Sequence, residues 1–381
     1  MTATLPHPSP AAHGTITPDQ VRDALTLRDL SDPAQGPHAM QALLAEVVGA
    51  LRGTWDVPAL THRPGPVVSV EDNYDRLGFT AADITRDARY SRYLSPTVML
   101  RSHTSAAIPP LLRSLPGHVE DALHVLPGLV YRRDAIDATH VGEPHQVDLW
   151  RVAPGRRLGR ADLESMAAAV VQAVLPGAEH RLVRSPHPYT LEGVQIDVRV
   201  GQDWLELAEA GLVAPWLLAR AGLPQNAVSG LALGMGLDRA LMLRKGIDDI
   251  RLLRSTHPRV AEQMLDLTPY RPVSRLPSIT RDLSVLVGPG EDEETLGDAV
   301  RSALGEEASL LESVRVLATT PEERLPEAAR ARMRPEPGQL NVLLRVAIRP
   351  LEHTMTHAEA NVLRDRIYLA VHRGPVAELI A

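Results

Sequence analysis

Three glycines and one arginine share the stretch SGLALGMGLDRALMLRKGI, Ser229 to Ile247. Gly230, Gly234 and Gly236 fall in a predicted strand, where each glycine costs packing and backbone entropy. Glycines at such positions allow a flat ligand to lie against the backbone. Arg239 follows in the first turns of a predicted helix, where the helix dipole also favours anionic groups. The pattern fits a nucleotide, and the alternative is a buried helix whose arginine extends to solvent.

A second stretch, LVYRRDAIDATHVGEPHQVDLW, is predicted to form a hairpin from Leu129 to Trp150. Arg132 has the planar group that makes bidentate contacts to a phosphate. Gln146 and Asp148 lie on one face of the returning strand, so together they could receive an ammonium group. The alternative is a surface ion-pair network, because the hairpin carries many polar side chains: Arg132, Arg133, Asp134, His140, His145, Gln146 and Asp148.

Two further stretches carry polar side chains next to predicted strands. In MLRSHTSAAIPPLLRSL, His103 and Ser105 lie between a strand and a helix, and Thr104 or Ser105 alone would be read as a helix N-cap. In WLELAEAGLVAP, Glu206 stands on an otherwise apolar strand and is a candidate Mg²⁺ ligand beside phosphates. The alternative for Glu206 is a strand-edge carboxylate that faces water.

The composition restricts the class of protein. A chain of 381 residues is long enough for two or three domains, and with one phenylalanine its core must consist of leucine, valine and alanine. The absence of cysteine excludes disulfides and thiolate metal sites. No apolar run approaches the roughly 20 residues that span a bilayer, and the N-terminus lacks the pattern of a secretory signal, so we expect a cytoplasmic protein without a membrane partner. The formal net charge of −7 argues against broad nonspecific nucleic-acid affinity but not against a local basic face.

The elements divide the chain into three predicted parts. Residues 1–60 should hold a mobile segment and two helices, the first capped by Thr17 with Pro18 at its first position. Residues 61–269 alternate short β-branched runs with loops and helices, which indicates an α+β domain around an antiparallel sheet. Residues 270–381 follow a proline-rich boundary and read as strand, helix, strand, strand, helix, the order of a ferredoxin-like βαββα unit. Its last helix opens with the capping box of Thr356 and Glu359.

Taken together, VYRRDAIDATH…HQVD, LRSHTSA, WLELAEAGLVAP and GLALGMGLDRALMLRKGIDDIRLL resemble, in order and spacing, the catalytic core of phenylalanyl-tRNA synthetases. These are class II aminoacyl-tRNA synthetases. The C-terminal part resembles the ferredoxin-fold anticodon-binding domain of that family, and the single-chain arrangement is most similar to the organellar monomeric form. The resemblance covers roughly Val67 to Ala381.

The resemblance implies an ATP-dependent reaction in two steps. An amino-acid carboxylate attacks the α-phosphate of ATP, and the aminoacyl group then passes to tRNA. By resemblance, Arg132 holds the α-phosphate and the carboxylate, and Arg239 holds the terminal phosphates. Asp134 stands where the family more often has glutamate, Gly234 and Gly236 line the adenine side, and Glu206 is the candidate ligand for Mg²⁺.

The resemblance also assigns an amino-acid site, which departs from the family in its side-chain pocket. Its predicted residues are His103, Ser105, Gln146 and Asp148 around the amino and carboxylate groups, and His187, Tyr189, Glu209 and Ala232 around the side chain. His187 and Tyr189 replace two phenylalanines, and Glu209 replaces a glycine, whereas Ala232 is the small residue that leaves room for the substrate ring. An unpaired Glu209 facing a phenyl ring would be costly, which predicts a polar or cationic amino acid. The alternative is that Glu209 and His187 pair with each other or with Arg184.

Several functions remain open from the sequence. The leading hypothesis is a tRNA-charging enzyme of the phenylalanyl type with an altered side-chain pocket. A second hypothesis is a paralogue that transfers an aminoacyl-adenylate to another acceptor, and a third is a catalytically silent tRNA-binding regulator. Both a dimer through the class II core and a monomer are compatible with the sequence. The aromatic positions expected after the second C-terminal strand are lost in VRVLATTPEERLP, so the sequence predicts the ferredoxin-like fold and leaves contact with an anticodon open.

Overall fold

The protein divides into two compact units. The computed structural model describes residues 15–80, 82–87, 90–115, 119–224, 226–273, 277–350 and 353–375. Most of the predicted mobile N-terminal segment therefore lies outside the described residues. The first unit comprises Met1–Arg132, Glu143–Ile247 and Gln263–Tyr270, and the second comprises Arg133–Gly142, Asp248–Glu262 and Arg271–Ala381.

The two predicted N-terminal helices are confirmed. Helix α1, Pro18–Thr26, begins after Thr17, whose side chain accepts a hydrogen bond from the Gln20 backbone while the Gln20 side chain caps Thr17 in return. Helix α2, Ala39–Trp55, is amphipathic and buries one apolar stripe. The stripe consists of Ala39, Met40, Leu43, Leu44, Val47 and Leu51.

A mixed seven-stranded sheet forms the centre of the first unit, so the α+β prediction is confirmed. Its order is β1-β5-β6-β10-β9-β8-β7, and β1 pairs in parallel with β5 while the other pairs are antiparallel. The strands are β1 Ala59–Thr61, β5 Ala122–Leu129, β6 His145–Pro154, β7 His180–Arg184, β8 Thr190–Val200, β9 Asp203–Val213 and β10 Val228–Gly236. A small antiparallel sheet in the order β2-β4-β3 accompanies it, with β2 Val67–Ser69, β3 Tyr93–Ser95 and β4 Val98–Leu100.

Helices of the first unit pack around the central sheet. They are α3 Val70–Asn73, α4 Ile108–Ser114, α5 Arg160–Val174, α6 Pro215–Arg220 and α7 Leu237–Lys245. Helix α7 follows β10 without a loop, as the sequence predicts, and ends at Gly246, whose φ of 66° lies in the left-handed region that favours glycine. The glycine-containing strand and the arginine-bearing helix are therefore one continuous element that can fix Arg239 relative to the sheet.

The second unit has the predicted strand, helix, strand, strand, helix order, except that a short helix, Glu327–Met333, lies between the second and third strands where a charged loop was predicted. Its three antiparallel strands lie in the order β11-β13-β12. The elements are α8 Pro258–Ala261, β11 Ile279–Val287, α9 Glu293–Leu304, β12 Leu311–Pro321, α10 Glu327–Met333, β13 Leu340–Ile348 and α11 His357–Val371. The predicted capping box is also confirmed, because Thr356 accepts from the Glu359 backbone and donates to the Glu359 carboxylate.

One loop of the predicted hairpin belongs to the second unit. Residues 133–142 lie between β5 and β6, yet Ile136 is buried in the apolar core that β11, β12 and β13 share with α9 and α11. The Ile136 backbone pairs with Val314 of β12. Arg133 forms an ion pair with Asp298 at 3.4 Å, and Arg301 donates to the Ala135 carbonyl. The loop is therefore part of the second unit's own fold.

We expect Ile136→Ala to destabilise the second unit by about 3 kcal/mol, because the change removes buried methyl groups and leaves a cavity in its core. The measurement is urea unfolding followed by circular dichroism. The matched control is Leu317→Ala on β12, where the leucine is 43% exposed and the expected change is within about 0.5 kcal/mol. Equal effects of the two variants would show that Ile136 does not belong to the core.

Candidate active site

The register of β6, β10 and β9 places small residues opposite polar ones on a single sheet face. Residues directly opposite each other in an antiparallel pair share a face. The opposed pairs are Gln146 with Gly236, Asp148 with Gly234, Trp150 with Ala232, Glu209 with Gly234, and Gly211 with Ala232. Six residues that sequence reasoning assigned to nucleotide and amino-acid binding therefore lie together on this face: Gln146, Asp148, Glu209, Ala232, Gly234 and Gly236.

Asp148 is the centre of a buried hydrogen-bond network. Thr104 Oγ1 donates to Asp148 Oδ2 at 2.5 Å, Ser105 Oγ donates to the same oxygen at 3.1 Å, and Trp150 Nε1 donates to Oδ1 at 2.9 Å. Burial raises the pKa of Asp148, and these hydrogen bonds oppose that shift. The expectation that Thr104 or Ser105 is a helix N-cap is wrong, because neither hydroxyl caps the following turn and both serve Asp148 instead.

His103 lies beside this network with a neutral imidazole. Burial lowers the pKa of His103 to about 3, and the nearby charge of Arg132 acts in the same direction. Its ring packs at 5.8 Å from Phe79 and 6.1 Å from Tyr74, measured between ring centroids. Its Nδ1 atom is buried and has no hydrogen-bond partner among the described residues. That atom is available to a bound polar group.

Arg132 is held in place while its guanidinium stays exposed. Its Nε donates to the Ser102 carbonyl at 2.7 Å, and its Nη2 donates to Gln146 Oε1 at 3.4 Å. The hydrogen bond between Arg132 and Gln146 connects two residues that the sequence analysis assigned to the site. Asp134, which sequence reasoning placed in the nucleotide site, belongs to the second unit, where its carboxylate accepts from the Ala135 backbone.

Glu209 is paired with His187. His187 Nε2 lies 2.8 Å from Glu209 Oε2, and Ser185 Oγ donates to Glu209 Oε1 at 2.9 Å. Burial alone would raise the pKa of Glu209, but the hydrogen bonds from His187 and Ser185 outweigh burial and lower it. Of the two sequence-based interpretations, the pairing of Glu209 with His187 is confirmed.

The charge of Arg239 acts on the carboxylate of Glu206. Burial raises the pKa of Glu206, the charge of Glu209 acts in the same direction, and Arg239 opposes both. Arg239 forms no hydrogen bond or ion pair with any residue in the described part of the chain, so its charge is free to meet an anion. Across the described residues, no group of three histidine or acidic side chains is arranged to hold a metal.

His145 and Asp238 connect the two predicted binding regions, a link that sequence reasoning missed. The Leu30 backbone donates to His145 Nε2 at 3.0 Å, so the ring proton is on Nδ1 and is donated to Asp238 Oδ1 at 3.0 Å. The His145 backbone also donates to Asp238. Because Gln146 follows His145 and Arg239 follows Asp238, this buried pair fixes the start of β6 against the start of α7. The sequence signal that could have indicated this pair is Asp238, an acidic residue in the first turn of α7.

Trp150 is a further residue that sequence reasoning missed. Its indole stacks on Tyr189 with a centroid distance of 5.9 Å and an interplanar angle of 23°. Tyr189 in turn lies 5.9 Å from His187 and 6.2 Å from Phe79, so the replaced aromatic wall is part of a larger aromatic cluster. The period of two along β6 could have identified Trp150, which shares a face with Gln146 and Asp148.

A family model described as tRNA synthetases class II core domain (F) matches residues 43–264. This match covers more than half of the chain, and the chain belongs to the phenylalanyl-type class II aminoacyl-tRNA synthetase family. The resemblance inferred from four sequence motifs is thereby confirmed. In the part of the chain that the structure describes, no helix is long and apolar enough to cross a membrane.

Curated relatives carry related names. The chain is 36% identical over 200 residues to the phenylalanine–tRNA ligase alpha subunit of Prochlorococcus marinus strain MIT 9313, covering 52% of this chain but only 58% of that protein. It is 27% identical over 363 residues to the probable mitochondrial phenylalanine–tRNA ligase of Drosophila melanogaster, covering 79% and 75%. It is 26% identical over 328 residues to the chloroplastic/mitochondrial enzyme of Arabidopsis thaliana, covering 82% and 71%. Since these names include organellar enzymes, a cytoplasmic location stays a prediction.

Proposed function

We propose that the protein is an ATP-dependent aminoacyl-tRNA ligase of the phenylalanyl type, which activates an amino acid as its adenylate and transfers it to tRNA. The observation that carries this proposal is the free charge of Arg239 immediately after an open floor of Gly234 and Gly236. A cation fixed beside exposed backbone suits the phosphates and the flat base of ATP. A silent regulator would have no need for this arrangement.

In this proposal the first step depends on positioning and charge neutralisation. Arg132, oriented by Ser102 and Gln146, binds the α-phosphate and the carboxylate that attacks it. Arg239 neutralises the departing pyrophosphate. ATP supplies the activated phosphorus, and no side chain has to remove a proton from an ionised carboxylate.

Mg²⁺ fits the site only as a partner of the nucleotide. Glu206 is exposed, and within the described residues it belongs to no three-ligand cluster. Mg²⁺ characteristically binds one or two carboxylates together with phosphates and water. We therefore propose that Glu206 holds Mg²⁺ when ATP is present, where the ion would add positive charge beside the phosphates.

The side-chain specificity is proposed to differ from phenylalanine, although not because of an unpaired Glu209, since that carboxylate is paired with His187. Gln146 and the free Nδ1 of His103 offer hydrogen bonds to its amino and carboxylate groups. The pair of His187 with Glu209 gives the side-chain region a polar wall. Asp148 acts by orienting Thr104 and Ser105, whose hydroxyls donate to it. The C-terminal βαββα fold is proposed to bind the tRNA anticodon region.

The test is ATP–pyrophosphate exchange with the full-length protein across all standard amino acids, followed by charging of total tRNA. We expect exchange with at least one amino acid other than phenylalanine, charging of tRNA with the same amino acid, and loss of both activities in Arg132→Ala. Exchange without charging would favour a different acceptor. Binding of tRNA without any exchange would overturn the proposal in favour of a regulator.

A further inference from the structure

We propose that Trp150, stacked on Tyr189, closes the side-chain end of the pocket and restricts the protein to a small amino acid of the size of glycine, alanine or serine. This inference rests on the proposed function and names the substrate class of the same site. Trp150 is not among the residues assigned to the site from the sequence. The sheet face on which it lies is open at one end and buried under other side chains at the other end.

The row of facing residues on β10 and β6 has two different ends. Along β10 the small residues run from Gly236 through Gly234 to Ala232, and opposite them on β6 run Gln146, Asp148 and Trp150. Arg239 follows the Gly236 end, so in the proposed function the phosphates of bound ATP lie there. The amino-acid carboxylate is joined to the α-phosphate, and the amino-acid side chain must therefore extend toward the opposite end of the row, the Ala232 end.

The Gly236 end is open. A Cβ atom added to Gly236 would meet no atom within 4 Å. One added to Gly234 would meet only Gln146 Nε2, at 3.5 Å. The floor beside Arg239 and Gln146 thus has space for a ligand, which agrees with the nucleotide and carboxylate positions of the proposed function.

The Ala232 end is closed. Ala232 is 3% exposed and Trp150 is 1% exposed, and both belong to an apolar cluster against which Tyr189 packs. Trp150 is fixed on one side by the Tyr189 ring and on another by its hydrogen bond to Asp148. The neighbouring Gly211 is covered as well, since a Cβ atom there would lie 2.7 Å from Thr190 Cβ.

A long side chain directed along the row would have to displace a fully buried indole. Displacement would break the stack on Tyr189 and leave one oxygen of the buried Asp148 carboxylate without its donor, both of which oppose binding. In this proposal, hydrogen, methyl and hydroxymethyl groups are the side chains short enough to leave the indole in place. A hydroxymethyl group would also suit the polar wall of His187 and Glu209.

The first experiment uses the wild-type protein and a size series. We expect pyrophosphate exchange with glycine, alanine or serine to exceed exchange with leucine or phenylalanine by about a hundredfold. In parallel, isothermal titration calorimetry with alanyl- and phenylalanyl-sulfamoyl adenosine should show tighter binding of the alanyl compound. Neither measurement requires a variant to fold.

The second experiment opens the pocket. Trp150→Leu should gain phenylalanyl-sulfamoyl adenosine binding by at least about tenfold, because it removes the indole volume. The matched control is Trp150→Phe, which loses the same Nε1 donor but retains a ring against Tyr189 and should gain little. Thermal unfolding checks that both variants fold.

The outcomes separate this inference from the proposed function. Exchange with phenylalanine as fast as with alanine in the wild type would overturn the size limit and the altered side-chain specificity, and would leave adenylate formation and tRNA charging, the core of the proposed function, standing. Equal gains in Trp150→Leu and Trp150→Phe would overturn the size limit too, since the bond to Asp148 and not the volume would then be responsible. No exchange with any amino acid and no binding of either analogue would overturn the proposed function, and the size limit with it.

Discussion

Arg239→Ala is expected to reduce ATP–pyrophosphate exchange by about a hundredfold or more while the melting temperature stays unchanged. The residue lies in the first turn of α7, and its side chain forms no hydrogen bond or ion pair with the described residues. Its removal therefore takes no hydrogen bond or ion pair from the described residues and, since Arg239 is only half-buried, little packing. It does remove the positive charge that the proposed site directs at the ATP phosphates.

The control for this prediction is a second arginine on the same helix. Arg244 donates to the carbonyls of Ala173 and Val174 and pairs with Glu46 at 3.1 Å, so it connects α7 to α5 and α2. Arg244→Ala should lower the melting temperature and retain exchange. Normal exchange in Arg239→Ala would remove the basis for the nucleotide assignment. A parallel loss of stability and exchange in both variants would show that Arg239 acts through folding.

Asp148→Ala is expected to lower the free energy of unfolding by on the order of 3 kcal/mol, since it leaves three buried donors without an acceptor. Those donors are the hydroxyls of Thr104 and Ser105 and the indole of Trp150. Urea unfolding measures the change. Glu164→Ala is the control, because that carboxylate is 54% exposed and its ion pair with Arg160 contributes at most about 1 kcal/mol. A change below that of the control would show that the network contributes little to stability.

Asp148 should also make the free energy of unfolding depend on pH. Burial raises the pKa of Asp148 in the folded state above its unfolded value of about 4. The folded protein therefore keeps a proton that the unfolded chain has lost, and its free energy of unfolding falls as the pH rises through this window. Asp148→Asn does not titrate, and its amide can donate to the hydroxyls of Thr104 and Ser105. We expect the wild type to lose stability relative to Asp148→Asn from about pH 4 upward, whereas parallel profiles would contradict the shift.

Local signals in the sequence predicted much of the fold. The cap at Thr17, the capping box at Thr356 and the passage from glycine-containing strand to helix at Gly236 all depend on neighbouring residues, and the structure has each of them. The shared face of Gln146 and Asp148 also followed, because strand alternation assigns side chains to faces, whereas Glu209 was placed near them only by the family resemblance. The catalytic and binding roles of these residues stay predictions.

Long-range relations were not accessible to the same reasoning. The pairing of Trp150 with Ala232 depends on the register between β6 and β10, which lie far apart in the chain. The three donors to Asp148 come from two separate segments, so no local pattern could show that its carboxylate is already satisfied. The pairing of His187 with Glu209 could be stated from the sequence only as an alternative, since it requires the distance across β8 and β9.

The loop that contains Ile136 has a consequence for how the protein can be divided. Because Arg133–Gly142 and Asp248–Glu262 belong to the second unit, the chain passes between the two units repeatedly and not once. A single proteolytic cut near Tyr270 therefore cannot release either unit with all of its sequence. A gene fragment that begins at Arg271 would encode a βαββα fold that lacks Ile136 from its core, whereas a fragment that ends at Tyr270 would carry Ile136 as an exposed apolar residue. Modular exchange of the C-terminal region between relatives would have to transfer the hairpin loop along with it.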